Sequence, residues 1–118
     1  TIRYKNALTF LYAADFGIRT MVENHGYFCQ DSDRLEKLVC AVNHPNFGLL
    51  IDMGNFLCAD DPPAQAVGRL APYAFHCHAK DFHVKPGTAP NPGQGWFRSR
   101  GLTSGFAISG IEKAPVGR

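Results

Sequence analysis

No apolar run in this 118-residue chain approaches the roughly 20 residues that span a bilayer. No signal-peptide pattern opens it either, so the expectation is a cytoplasmic protein without membrane contact. Charge of one sign is scarce: 12 Lys and Arg against 10 Asp and Glu leave a formal net charge of +2. That is too little to draw the chain to nucleic acid or to an anionic surface. Cysteine is limited to Cys29, Cys40, Cys58 and Cys77. None forms a C-x-x-C pair, which argues against a purely thiolate zinc site and offers no disulfide framework. Cys40 falls on an apolar helical stripe and Cys77 inside a strand pattern, so both are expected as reduced core thiols, behaving as small hydrophobes. What remains is ordinary globular usage, 45% hydrophobic and 19% charged, and the length suits one domain over 1–118.

The apolar periodicity alternates along the chain. "KNALTFLYAADF", 5–16, places Ala7, Leu8, Leu11 and Tyr12 at helical spacing, with Gly17 as C-terminal cap. "IRTMVE" then reads as a strand. Asp33 and Glu36 have capping-box spacing on a helix whose apolar face is Leu35, Leu38, Val39 and Val42, ended by Asn43 and Pro45. "FGLLID", 47–52, is almost unbroken apolar, as a parallel strand covered on both faces requires. Asp61 and Pro62 start a third helix with Ala64, Val67 and Leu70 inward, and "YAFHCHAKDF" is a third strand. This order predicts right-handed crossovers and a parallel α/β sheet, its strands in sequence order and its helices outside. Residues 83–105, rich in glycine and proline, are expected as one long active-site loop, with "FAIS" a further strand-like stretch.

In "TMVENHG", residues 20–26, a carboxylate, an amide and an imidazole stand together where an apolar run stops. Glu23 there, Asp52 and His78 each lie at or near the C-terminal end of a strand, at about the 30-residue interval of a βα repeat. Ligands bind at that end of parallel strands, in open sheets and in closed barrels alike. Two carboxylates and an imidazole form a mixed oxygen and nitrogen set suited to Mn²⁺, Mg²⁺, Co²⁺ or Zn²⁺. Their ligand atoms are expected to face one cavity, about 2.0–2.3 Å from a shared ion. His76 shares the strand face of His78. It is expected as a packed, hydrogen-bonded histidine or a group orienting a ligand. In "GWFRSR", Arg98 and Arg100 suit a phosphate or carboxylate and Trp96 suits closure over a substrate, the alternative being a solvated basic loop.

"ENHG", "IDMGN", "HCHAKD" and "GWFRSRG" resemble, in order and spacing, the sugar phosphate isomerase/epimerase group of xylose-isomerase-like TIM barrels. The resemblance covers about residues 5–105. It implies the parallel-sheet portion of a (β/α)8 barrel, about three to four βα repeats, since a full barrel takes about 250 residues. In that family a strand-end Glu, an Asp, a His and a last-strand Glu bind one divalent metal. The first three match Glu23, Asp52 and His78, while Glu112 is the late candidate for the fourth. Where family members often carry a substrate-binding His soon after the Asp, this chain has Asn55, an amide suited to a hydroxyl. Where sugar epimerases often carry an Arg after the His, it has Val84, beside His83.

The chemistry implied by this resemblance is proton transfer next to a carbonyl in a small sugar or hydroxy-carbonyl substrate, through an enediolate-like state, with Glu23 as the base. His25, Asn55, His76, Trp96 and Arg98 are the candidate substrate contacts. Two alternatives stand beside it. One is a metal-dependent phosphodiesterase of the abasic-site endonuclease kind, which the small net charge disfavours. The other is a non-catalytic barrel fragment folded in an assembly. An open piece of parallel sheet leaves unpaired edges, so self-association is expected in either case.

Overall fold

The computed structural model describes residues 2–26, 28–86, 96–98 and 106–109. Its centre is a three-stranded parallel sheet of β1 (Thr20–Glu23), β2 (Phe47–Asp52) and β3 (Ala74–His78), arranged in sequence order. Helix α2 (Ser32–Val42) connects the first pair of strands and α3 (Pro63–Leu70) the second. The fold is the expected one: an α/β unit of a parallel-stranded barrel.

β2 is central, and its alternation organises the core. Leu49 and Ile51 pack against Leu35 and Val39 of α2, Ala66 and Leu70 of α3, and Phe56 of a 3-10 turn at Asn55–Ala59. Seven such side chains removed from water hold both helices on one face of the sheet. The other face carries Gly48, where an added Cβ would lie 2.8 Å from the Phe75 ring. The Arg19 guanidinium covers that ring from 4.6 Å. A register shift at Leu49/Leu50 then brings Asp52 opposite His78.

The helix ends show which polar residues won the caps. α1 (Ile2–Asp15) closes in a Schellman motif, with Gly17 at φ 68° donating to Ala14 and Ile18 donating to Ala13. Its Phe10 packs on His44 and Phe47, but Leu11 and Tyr12, expected inward, are exposed. α2 begins earlier than the capping-box reading: Asp31 is its N-cap and accepts from the Arg34 N–H at 2.9 Å. Asp33 and Glu36 face outward instead, where Arg69 of α3 reaches both and Lys37 pairs with Asp33. Asp61 does not cap α3, whose N-cap is Pro62. Its carboxylate accepts from the Ser32 N–H at 2.7 Å and so serves α2. Ala64 is exposed, and Ala66 takes the inward position. Asn43 ends α2 in the left-handed region, φ 43°.

Two further expectations are corrected. Cys40 and Cys77 are exposed, Cys29 and Cys58 half-buried, and all four thiols are free. Cys40 turns out of the core toward the Tyr73 hydroxyl, 3.7 Å away, and Cys77 sits on an outer strand of the sheet. The segment expected as one long loop contains strands β4 (His83–Pro86) and β5 (Trp96–Arg98). Both pair antiparallel with β6 (Phe106–Ser109), the "FAIS" stretch, in a separate sheet of order β4-β6-β5. Among the described residues no helix is long and apolar enough to cross a membrane.

Candidate metal centre

Glu23, Asp52 and His78 are the last residues of β1, β2 and β3. Parallel pairing puts all three at the same end of the sheet. One ligand atom from each lies within 4.8 Å of the others. Ligand atoms around an ion with bonds of about 2.1 Å stand about 3–4 Å apart, so small side-chain adjustments would suffice to close the set around one cation. The donor set, two carboxylates and an imidazole, fits a divalent metal and leaves coordination positions open.

The three are not held alike. The Glu23 and His78 side chains are 35% and 48% exposed, and His78 Nδ1 lies 3.4 Å from Glu23 Oε1. Asp52 is enclosed, its side chain 5% exposed. Its Oδ1 accepts from the N–H groups of Gly54 and Asn55 at 3.1 and 3.2 Å, and its Oδ2 lies 3.2 Å from Lys80 Nζ. The backbone of Asp52 is fixed as firmly. Asn24, fully buried, donates from Nδ2 to the Asp52 carbonyl at 2.8 Å and accepts at Oδ1 from the Asp52 N–H at 2.6 Å. The amide thus continues the β1–β2 ladder one step beyond the last strand residue. Glu23 before it and Asp52 opposite are oriented by main-chain pairing, the most rigid support a sheet offers.

Asn24 and Lys80 are the residues around the candidate site that sequence reasoning passed over. Both stood inside motifs singled out for other members, "ENHG" and "HCHAKD". A Lys two places beyond a strand-end His was the signal for the second.

The candidate substrate contacts divide. His25 is exposed on the loop after β1, its N–H donating to the Glu23 carbonyl at 2.8 Å. His76 is exposed, not packed as expected; its ring meets that of His78 edge-on, with centroids 5.5 Å apart. Asn55 is 3% exposed. Its Oδ1 accepts from Lys80 Nζ, and its Nδ2 is enclosed without a partner among the described residues. Trp96 and Arg98 belong to β5, and their side chains lie outside the described residues, as do Arg100 and Glu112.

A parallel sheet with helices on one face and ligand-type side chains at its C-terminal rim defines a portion of an α/β barrel. The model of the xylose isomerase-like TIM barrel family matches residues 2–112. The chain belongs to that family. Among solved structures it is similar to a xylose isomerase domain protein from Planctomyces limnophilus, with a TM-score of 0.55 and 22% sequence identity. That likeness covers 95% of this chain and 36% of the other protein's length, and it concerns the fold. No curated protein matches the chain.

Proposed function

We propose that Glu23, Asp52 and His78 hold one divalent cation, Mn²⁺, Mg²⁺, Co²⁺ or Zn²⁺, in an isomerase or epimerase of small sugars or hydroxy-carbonyl compounds. The observation that carries this reading is the convergence of three ligand-type side chains from adjacent strand ends, with ligand atoms within 4.8 Å of one another. When bound, the cation supplies Lewis acidity toward carbonyl and hydroxyl oxygens. The chain's own residues do the rest. Glu23 is the most suitable base, because its carboxylate is partly exposed and is not engaged by backbone donors as Asp52 is. It takes the proton from the carbon beside the carbonyl, the electrons of that C–H bond moving to the carbonyl oxygen as an enediolate-like state forms. It holds the proton at a carboxylate oxygen until carbon is reprotonated. Asp52, pinned through both its main chain and its carboxylate, serves as a fixed ligand and not as a proton carrier. His25 and His76, exposed beside Glu23 and His78, are the groups we assign to substrate hydroxyls; Trp96 and Arg98 complete the assigned contacts. A sheet with open edges is expected to self-associate.

The test is metal titration by calorimetry of the purified protein and of its Glu23→Gln, Asp52→Asn and His78→Ala variants, alongside solvent-deuterium incorporation into small aldoses and ketoses. Each substitution should weaken binding at least about tenfold, the loss expected for one ligand. Indifference of the protein to all four metals would remove the site, and metal binding without any proton exchange would remove the reaction.

A further inference from the structure

Lys80 lies just beyond β3, and the architecture around it is specific. Its side chain is 21% exposed, its Nζ is 3.2 Å from Asp52 Oδ2, and the same ammonium donates to Asn55 Oδ1. It also stands 5.4 Å from the centre of the Phe82 ring. The turn that carries it fits closely on the rim: an added Cβ at Gly54 would meet the Lys80 carbonyl oxygen at 2.7 Å. Asn55 presents its oxygen to this ammonium while its own Nδ2 stays enclosed and, among the described residues, unpartnered. A buried amide left with an unmet donor is oriented by whatever its oxygen binds, and here that is a cation.

The electrostatic need is plain. Asp52 keeps a carboxylate at 5% exposure with two neutral N–H donors on one oxygen. A buried charge requires a compensating one, and Lys80 provides it without an added ion. An incoming divalent cation then meets a centre whose two carboxylate charges are already offset by one positive charge.

Building on the metal-site reading above, we infer that Lys80 is a tethered counter-cation of Asp52. It holds this carboxylate in ligand position in the metal-free protein, and it lowers the affinity of the centre so that the metal exchanges. Lys80 is a positioning residue: it acts through Asp52.

The experiment compares the protein with Lys80→Met and Lys80→Arg by Mn²⁺ calorimetry and by melting with and without saturating Mn²⁺. Lys80→Met should melt lower without metal, recover most of the loss in Mn²⁺, and bind Mn²⁺ about tenfold more tightly. Lys80→Arg, which keeps the charge, should stay near the parent in both. A role confined to packing gives an equal melting loss with and without Mn²⁺ and an unchanged affinity, and that result overturns the inference. Should Lys80→Met not fold without metal, the double variant Asp52→Asn/Lys80→Met removes the charge that needs a partner. It must be more stable than Lys80→Met, and a double variant no more stable counts against the pair. If the parent shows no Mn²⁺ binding that Glu23→Gln weakens, the metal reading falls and this inference with it. If that binding is present but indifferent to Lys80→Met, this inference alone falls.

Discussion

The Asn24 side chain grips the main chain of Asp52 from both sides, donating to its carbonyl at 2.8 Å and accepting from its N–H at 2.6 Å. A side chain has replaced the next residue of β1 in the ladder. It therefore links two proposed ligands, its neighbour Glu23 and its partner Asp52, without touching a metal. Asn24→Ala leaves a buried donor and acceptor of Asp52 unmet, and should lower unfolding stability by about 2–4 kcal/mol. Denaturant titration measures the loss, and Mn²⁺ affinity should fall with it. Asn24→Asp keeps the acceptor and loses the donor, adding a buried charge, so it should not rescue. Stability within error of the parent would show that the pairing carries no load.

Asp33 joins α2 to α3 through Arg69 and also pairs with Lys37. The Lys37 hydrogen bond, with Arg69 adding to it, holds its carboxyl below the usual value of 3.8. A lowered pKa in the folded state stabilises it above the unfolded pKa, and this contribution disappears as pH falls through the folded value. The stability difference between the parent and Asp33→Asn should thus be fully present at pH 7 and shrink below about pH 4. Because these groups are exposed, high salt should reduce it too. A difference that is constant from pH 7 to pH 2 would contradict the assignment.

The strand ends were legible because their signals are local. An apolar run such as "FGLLID" that stops at a carboxylate marks both the strand and the end where ligands gather, and the repeat of that pattern placed Glu23, Asp52 and His78 together. Family motifs added the barrel class. The caps were misplaced because candidate carboxylates lay close together: Asp31 and Asp33 both suit the start of α2. Tertiary partners decided between them, since Arg69 draws Asp33 outward and Ser32 claims Asp61. Nothing short of the strand register shows that Asn24 faces the Asp52 backbone. Lys80 likewise takes its meaning from a turn that folds back over Gly54, a contact between positions far apart in sequence.

The four free thiols offer a test of burial near the site. Burial pushes the Cys58 thiol above its ordinary value of 9.0, and the nearby Asp52 charge adds to that while Lys80 opposes it. Only the thiolate reacts with iodoacetamide. Cys40 and Cys77 are exposed, so at pH 7.5–8.5 they should be modified before Cys58, as peptide mass mapping against time will show. Cys58 labelled first would contradict its half-buried placement in the Asn55–Ala59 turn.

Two glycines separate close packing from backbone freedom. Gly54 has an ordinary helical φ of −74°, so alanine there meets no torsional obstacle. By itself the loss of chain entropy in the unfolded state would favour the substitution by about 0.4–1 kcal/mol. The added Cβ, however, would stand 2.7 Å from the Lys80 carbonyl oxygen and 2.9 Å from the Phe82 ring. A backbone oxygen cannot turn aside as a side chain can, so the segment carrying Lys80 must shift. Overpacking of this kind costs about 1–3 kcal/mol, which outweighs the entropic gain. Gly68, within α3, has nothing among the described residues within 4 Å of its added Cβ. Gly68→Ala should therefore stabilise the protein by up to about 1 kcal/mol, the helix-propensity difference. Opposite signs in paired denaturant titrations are the expected outcome. A Gly54→Ala change that stabilises would mean that the turn over Gly54 is looser than its contact with the Lys80 carbonyl requires, and a destabilising Gly68→Ala would contradict the open position on α3.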